Sequence, residues 1–247
     1  MCSEKSKEAG MDKQPSQAEI SELIKDYGQI TLCGNKFGYK IHLLNIIGEI
    51  EGHENLGNNA KTSKYEHILP QLVAVEENDE IDGLLVILNT VGGDVEAGLA
   101  IAEMIASISK PKVCLVLGGG HSIGVPLAVA GDKTFIVPSA TMVIHPIRIS
   151  GTVLGVKQNF EYIERMQERI IDFTVGHSKV SDTQLRNIMF NTSELTKDVG
   201  SMLVGAQAVD NGIIDSVGGI NIALNCLFDL INSGKNSKIT EYGFMDE

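Results

Sequence analysis

The sequence predicts an α/β fold with a mainly parallel β-sheet, and three observations support that class. Short apolar runs typical of buried strands alternate with longer segments in which apolar residues recur every three or four positions, as in amphipathic helices. Hydrophobic residues make up 43% of the 247 residues but aromatic residues only 5%, which suits aliphatic strands buried on both faces. The connections are short, so the alternation indicates βαβ units.

Each element is predicted from its own pattern. Continuous apolar runs predict strands, and apolar residues at helical spacing predict helices. In chain order we expect strand Ile41–Ile47, helix Tyr65–Val75, strand Gly83–Asn89, helix Val95–Ser109, strand Val113–Leu117, helix Ser122–Ala130, strands Thr134–Val137 and Thr141–Ile144, helix Val156–Phe173, strand Ile213–Val217 and a last helix to about Ile231. Between the first two elements, glycine and asparagine residues predict a loop over Gly48–Lys61.

One globular domain is expected over residues 29–234. Residues 1–28 are polar and charged, which predicts a loose arm with one short helix near Ile20–Lys25, and residues 235–247 predict a polar tail. No apolar signal segment is visible near Met1, and no run approaches about 20 apolar residues. We therefore expect a cytoplasmic protein without a membrane span.

Charge and cysteine content exclude several classes of function. The formal net charge of −12 repels phosphate backbones, so no nucleic-acid partner is expected. The cysteines are scattered without a C-x-x-C pair, so neither a metal site nor a disulfide framework is predicted, and no cofactor motif is present. Cys114 lies in an apolar run and is expected to be an inert core thiol.

A glycine-rich stretch contains a candidate nucleophile, Ser122. The segment Gly118–Gly124 (GGGHSIG) follows an apolar strand and opens a predicted helix, where free backbone N–H groups favour negative charge. A serine there suits acyl transfer, because the tetrahedral intermediate carries an oxyanion. The stretch is neither a P-loop nor a dinucleotide fingerprint. Taken alone, it is also compatible with a tight turn without catalytic role.

A second glycine turn joins a strand to a helix at Asn89–Asp94. Turns at the carboxyl ends of parallel strands face one crevice, where α/β proteins bind ligands. The backbone N–H groups of Gly92 or Gly93 are therefore candidates to form an oxyanion hole with that of Ile123. The alternative is an ordinary helix start with Asp94 as the N-cap.

His145 is the candidate general base, because it ends an apolar strand and precedes a loop. His121 adjoins Ser122, but neighbouring side chains on a turn usually diverge. The remaining histidines are expected to be structural or at the surface: His42, His53, His67 and His177. No histidine follows His177, so the chain order differs from that of α/β-hydrolases, in which the acid lies between serine and histidine.

These residues lie in blocks that resemble the ClpP-like serine peptidases, and most closely their TepA branch. The blocks are ILNTVGGDVEAGLAIAEMI, LVLGGGHSIGVPLAVAGDK, SATMVIHP and GAQAVDNGIIDSVGG, and the resemblance covers roughly Ile41 to Ile231. It implies a crotonase-like spiral of β-β-α units. It also implies that Val156–Phe173 is a protruding helix that interlocks subunits.

The resemblance implies roles for the candidate residues. Ser122 matches the nucleophile and His145 the general base, while the Gly92-Gly93 turn and Ile123 match the oxyanion donors. Position 121 is histidine where ClpP has a small residue.

The acid of the implied triad falls on Asp198. This chain is longer than ClpP between Asp198 and Leu203, which weakens the match. Asp215 is the alternative, although its counterpart in the family is structural.

The implied function is that of a serine endopeptidase that cleaves unfolded or small proteins and peptides inside an oligomeric ring. The resemblance implies a homo-oligomer of heptameric rings, with a separate ATPase or an export protein as a possible partner. Three alternatives remain at this point. One is a crotonase-type acyl-CoA enzyme, the second a serine–lysine peptidase with Lys133 or Lys157 as base, and the third a non-catalytic scaffold linked to protein export.

Overall fold

Parallel strands that follow the apolar runs of the sequence form the centre of the molecule. The structure is a computed structural model that describes residues 30–32, 38–54, 56–57, 59–151, 154–193 and 199–242, with side chains as far as residue 234. The predicted arm, residues 1–28, and its short helix near Ile20–Lys25 lie outside the described residues, and the domain boundaries stay a prediction.

The described residues form nine strands and seven helices. In chain order these are β1 (Ile30–Leu32), β2 (Ile41–Glu51), β3 (Thr62–Lys64), α1 (Tyr65–Glu77), β4 (Gly83–Gly93), α2 (Val95–Ser107), β5 (Lys112–Gly120), α3 (Gly124–Val129), β6 (Lys133–Ile136), β7 (Thr141–Ile144), α4 (Lys157–Gly176), α5 (Asp182–Met189), β8 (Ser201–Val204), α6 (Ala206–Asp210), β9 (Ser216–Val217) and α7 (Ile220–Tyr242).

The sheet is mainly parallel, as the sequence predicts. Its described strands follow the order β1-β2-β4-β5-β6-β9, and β2, β4, β5, β6 and β9 are parallel. The short β1 is antiparallel to β2, and β3 pairs in parallel with the carboxyl end of β2. A separate antiparallel pair, β7 and β8, joins β5 through β7. The carboxyl ends of β2, β4, β5 and β7 consequently meet at one edge.

Helices cover both faces of the sheet. On one face, α7 packs Leu227 and Ile231 against Leu85 and Leu115. On the other face, a larger aliphatic cluster joins the strands to the remaining helices. The strand residues of both clusters are almost fully inaccessible to solvent, which explains why they form continuous apolar runs rather than an alternating pattern.

The strands are longer than predicted at their carboxyl ends. β2 continues to Glu51 rather than Ile47, β4 to Gly93 rather than Asn89, and β5 to Gly120 rather than Leu117. The glycine residues predicted to form turns therefore belong to strands. They permit contacts between backbones that a side chain would block, since a Cβ atom on Gly93 would collide with the Ile50 carbonyl oxygen.

Other element boundaries also differ from the prediction. Helix α3 begins at Gly124 instead of Ser122, and only Ser216–Val217 of the predicted strand Ile213–Val217 pairs with a neighbour. Helix α7 continues to Tyr242, past the predicted end and into the segment that was expected to be a polar tail.

Short elements were not predicted: β1, β3, α5, β8 and α6. Helix α5 had a detectable signal, because Ser181 caps it by accepting a hydrogen bond from the Gln184 backbone N–H at 3.2 Å. Serine followed three residues later by glutamine is typical of a helix start. Among the described helices, none has the combination of length and apolarity that a membrane span requires.

Candidate active site

Ser122 lies in a sharp turn between β5 and α3. Its φ angle is 56°, the left-handed region, and among the described residues it is the only non-glycine residue with a positive φ. Its backbone N–H donates to the Val143 carbonyl on β7 at 2.7 Å, and its carbonyl accepts from the Val125 N–H at 3.0 Å. These bonds fix an unfavourable conformation, which is typical of functional sites.

The two glycine segments meet at Ser122. A Cβ atom on Gly92 would lie 2.6 Å from the Ser122 Cβ, so only glycine fits there. The buried Thr90 hydroxyl donates to the Gly48 carbonyl at 2.7 Å and accepts from the Gly92 N–H at 3.0 Å. Because the Gly92 N–H already donates to Thr90, it is not a free donor for an oxyanion. The role of Gly92 is to leave room for the Ser122 side chain.

Ile123 offers a backbone donor next to Ser122. The turn and loop hydrogen bonds of the described residues include no acceptor for the Ile123 N–H. The Ile123 side chain is buried against Gly98 of α2, where a larger residue would collide with it. This packing fixes the orientation of the N–H group that follows the candidate nucleophile.

His145 follows β7 directly, and its ring is held by its own loop. Nδ1 lies 2.6 Å from the Pro146 carbonyl oxygen. Because a carbonyl oxygen only accepts hydrogen bonds, Nδ1 carries the hydrogen in neutral His145, and Nε2 keeps the lone pair that a base needs. Within the described residues, the Ser122 hydroxyl has no hydrogen bond to His145. Such bonds commonly tighten only when substrate binds.

A cavity of ≈ 290 Å³ contains these groups. Ser122, His145, Gly93 and Ile123 all line it. Its wall is otherwise largely aliphatic, with two further charged side chains; these other lining residues are Glu49, Val91, Val95, Val125, Ile144, Pro146, Ile147, Arg148, Ile170, Thr174, Leu185 and Met189. The structure therefore places four of the six predicted site residues in one cavity. Gly92 packs against Ser122 without lining the cavity.

Gln167 fixes the loop that follows His145. This residue of α4 is buried, and its Oε1 accepts a hydrogen bond from the Ile147 N–H at 2.8 Å. Its Nε2 donates to the Met189 sulfur at 2.9 Å. Gln167 thus connects the His145 loop to α4 and α5, which both line the cavity.

Of the two candidate acids, Asp198 lies outside the described residues. Asp215 is in a structural setting: it accepts hydrogen bonds from the Thr134 N–H and hydroxyl, both at 3.2 Å, and from Lys179 Nζ at 2.8 Å. Burial alone would raise the pKa of Asp215, but the Lys179 hydrogen bond and nearby lysine charges hold it below the usual value. Asp215 does not line the cavity.

Two other titratable groups, His121 and Cys114, have no part in this arrangement. His121 Nε2 lies 2.8 Å from the Thr141 hydroxyl, and its side chain does not line the cavity. Burial, and secondly the charge of His145, lower the pKa of His121. Burial raises the pKa of Cys114 to about 12, in agreement with the predicted inert thiol. The described ranges contain no cluster of three or more His, Cys, Asp or Glu suited to a metal ion.

Sequence reasoning missed three residues of the site: Glu49, Thr90 and Gln167. Glu49 belongs to the segment predicted to be a loop, and its position in a strand beside Gly92 emerges only from the strand pairing. Thr90 adjoins the predicted glycine turn, so its position was a usable signal. Gln167 is a polar residue on the buried side of an amphipathic helix, and a break in the apolar stripe was the available signal.

Comparisons with known proteins agree with this architecture. The family model of the Clp protease matches residues 44–221. Translocation-enhancing protein TepA of Halalkalibacterium halodurans is 53% identical over 222 residues, which are 88% of this chain and 86% of that protein. The ATP-dependent Clp protease proteolytic subunit 1 of Chlamydia muridarum is 28% identical over 140 residues, 54% of this chain and 69% of that protein.

Among solved structures, ClpP1 of Listeria monocytogenes, determined as a point mutant, superposes with a TM-score of 0.56. It is 24% identical in sequence and the match covers 74% of this chain and 94% of that one. At this identity the superposition supports the fold alone.

The fold and the family match define the class: the chain belongs to the Clp protease family. Within that family, its identity over most of its length to TepA supports the resemblance to the TepA branch that the sequence blocks indicate.

Proposed function

We propose that this chain is a serine endopeptidase that cleaves unfolded or small proteins and peptides. The observation that carries the proposal is the cavity that Ser122 and His145 share. In it, the serine occupies a left-handed turn, and the hydrogen bond of His145 Nδ1 to the Pro146 carbonyl selects the tautomer of the neutral ring whose Nε2 has a free lone pair. An acyl-CoA enzyme would need neither the strained serine nor the adjacent base.

In the proposed reaction, His145 Nε2 removes the proton of the Ser122 hydroxyl as its oxygen attacks a peptide carbonyl. The N–H groups of Ile123 and Gly93 stabilise the resulting oxyanion, and loss of one such donor typically raises the barrier by about 3 kcal/mol. His145 then protonates the leaving amine. In the second half of the reaction, His145 removes a proton from water as the water oxygen attacks the acyl-enzyme, and it returns that proton to the Ser122 oxygen as the acyl group leaves.

Asp198 is proposed as the acid that stabilises protonated His145. The proposal rests on the family pattern, in which the acid precedes the late GAQAVDNG block, and on the structural role of Asp215. Comparison of Asp198→Asn with Asp215→Asn separates the two candidates. The first should reduce kcat in a fold of unchanged stability, because protonated His145 loses the charge that stabilises it, whereas the second should mainly lower stability.

We further propose that the chain functions as a homo-oligomeric ring, with an ATPase or an export protein as a separate partner. Support comes from the family and from exposed apolar side chains on α4, of which Phe160 is 61% and Tyr162 60% accessible. Such exposure is unusual on a monomer and typical of an interface.

The test is covalent labelling of the chain with a fluorophosphonate, read out by intact mass. We expect one adduct on the wild type and none on Ser122→Ala, because phosphonylation requires an activated hydroxyl. His145→Ala should also remain unlabelled. Ser139→Ala, which removes a serine from the turn after β6, is the matched control and should label like the wild type.

Absence of an adduct between pH 6 and 9, on protein shown to be folded and assembled, would contradict the peptidase. In that case, binding of coenzyme A in calorimetry would indicate an acyl-CoA enzyme. Lack of both activities would favour a scaffold with the family fold.

A further inference from the structure

Glu49 lies one strand away from the candidate nucleophile. It is near the carboxyl end of β2, and its register partner on β4 is Gly92. Gly92 in turn packs against Ser122, at a spacing that leaves no room for a side chain. Glu49 lines the cavity that contains Ser122 and His145. Glu49 therefore belongs to the wall of the space in which a substrate would bind.

A β-bulge lies beside Glu49. Gly48 pairs with Thr90 and Glu49 with Gly92, so Val91 on β4 has no partner in β2. Bulges change the direction of neighbouring side chains and occur frequently next to active sites. The extra residue is on β4, and β2 keeps its regular alternation, so Ile50 belongs to the core with Leu44 and Ile46 while its neighbour Glu49 lies on the opposite side of the strand and lines the cavity.

The carboxylate of Glu49 differs from its neighbours in having no cationic partner. Glu51 is paired with Lys64 at 3.3 Å and Glu96 with Arg169 at 2.7 Å. Among the described residues, the Glu49 side chain makes no ion pair and no hydrogen bond. A partly buried carboxylate in a mainly aliphatic wall is stabilised by a cation that enters the cavity.

Besides Glu49 and the candidate base His145, the cavity wall contains the charged side chain of Arg148. It lies on the loop after His145 and has an interaction partner of its own. In the cavity wall, the carboxylate of Glu49 is thus the charged group that is available to a ligand. The chain as a whole, with a net charge of −12, also attracts positively charged peptides.

We infer that Glu49 is a specificity-determining residue, which binds a lysine or arginine side chain of the substrate close to the scissile bond. This inference rests on the proposed peptidase function and specifies its substrates. The ammonium or guanidinium group forms a charge-assisted hydrogen bond with the carboxylate, and the aliphatic part of the side chain packs on the apolar wall.

The experiment compares fluorogenic peptides that are identical except for one residue. Lysine, norleucine or glutamate is placed in turn at the three positions before and the two positions after the scissile bond. Norleucine keeps the aliphatic chain and lacks the ammonium group. At one position, wild-type kcat/KM should be roughly tenfold higher for lysine. Glu49→Gln should reduce this ratio to near one, and Glu49→Lys should make glutamate the preferred residue there.

Glu103→Gln is the matched control, because it removes one exposed carboxylate from α2 outside the cavity. It should keep the wild-type ratio. A ratio near one at every position in a wild type that cleaves the peptides and labels with fluorophosphonate would overturn the inference alone. A wild type that neither cleaves nor labels would overturn the proposed function and the inference with it.

Discussion

At the scale of single residues, Gln167 has the most informative environment. Its amide oxygen holds the loop after His145, and its amide nitrogen contacts Met189. A glutamine in the buried stripe of a helix is costly unless both of its polar groups are bonded. Gln167 meets that condition by connecting the loop of the candidate base to two helices, so we regard it as a positioning residue rather than a catalytic one.

Gln167→Leu should lower both stability and the rate of Ser122 labelling. The substitution leaves the Ile147 N–H without its acceptor, at a cost of about 1–3 kcal/mol in the free energy of unfolding. Urea unfolding measures this loss, and fluorophosphonate labelling at saturating probe measures the second effect. Met189→Leu is the control, since it keeps an apolar side chain in the cavity wall that Met189 lines and removes the weak sulfur acceptor. Equal labelling rates in Gln167→Leu and wild type would show that Gln167 is merely structural.

Single residues were predicted from sequence where their type and neighbours carry the signal. Ser122 stands among glycines and His145 at a strand end, so the sequence alone makes both of them candidates, and the structure places both in one cavity. The engagement of the Gly92 N–H by Thr90 was not predictable, because it depends on the Thr90 rotamer and on the approach of Gly48. The role of Gln167 depends on contacts between residues 20 positions apart or more, which a local pattern does not contain.

At the scale of elements, α4 has two unlike halves. From Met166 onward the helix packs Met166, Ile171 and Phe173 into the molecule, whereas Phe160 and Tyr162 nearer its amino terminus are largely exposed. The sequence showed one apolar stripe from Phe160 to Phe173. The stripe alone does not distinguish burial in the same subunit from burial in a neighbour, and the structure separates the two halves.

Phe160→Glu should prevent assembly, because it places a charge in an interface that we propose to be apolar. Sedimentation velocity is the measurement: the variant should sediment as a single chain of 26.6 kDa, and the wild type as a much larger species. Gln158→Glu introduces the same charge at an exposed polar position two residues earlier, and it should assemble normally. A wild type that is monomeric at all concentrations would contradict the proposed ring.

Strand ends were the least predictable part of the elements. Apolar runs located β2, β4 and β5, but each continues through glycine residues that resemble turn signals. The extended backbone there is determined by pairing with the neighbouring strand, as in the pair of Gly93 with Ile50. Short strands such as β3 have the same explanation, since they form only because β2 is adjacent.

At the scale of the whole molecule, stability should fall as the pH decreases from 7.5 to 5.5. Burial lowers the pKa of His42, and burial with the charge of His145 lowers the pKa of His121. Below about pH 6.5 the unfolded chain therefore binds protons that the folded chain does not, and the free energy of unfolding decreases. The stability that depends on neutral His42 and His121 is therefore fully present above about pH 6.5, and it is lost as the pH falls below that value.

His42→Gln should make this pH dependence shallower. Its buried Nε2 has no hydrogen-bond partner within the described part of the chain, so protonation there is not compensated. Melting temperatures at pH 7.5 and 5.5 provide the measurement, and each kcal/mol corresponds to about 2–4 °C for a chain of this size. The exposed His67→Gln controls for the loss of an imidazole. An unchanged difference in His42→Gln would refute this assignment.

The class of the whole molecule was the most predictable property. Alternating elements and an aliphatic composition are global averages, so errors of a few residues at element ends do not affect them. The order of strands in the sheet and the packing of α7, alone among the described helices, on one face depend on contacts between distant parts of the chain, and only the structure provides them.

The left-handed backbone of Ser122 lowers the stability of the fold at the position where the proposed reaction needs a hydroxyl group. A non-glycine residue in that region costs of order 1–3 kcal/mol, and glycine at the same position would release that energy. Selection for thermal robustness alone would therefore replace the serine. The presence of a serine in a turn that glycine would fit better means that the chain carries a permanent local loss of stability together with a hydroxyl at that point.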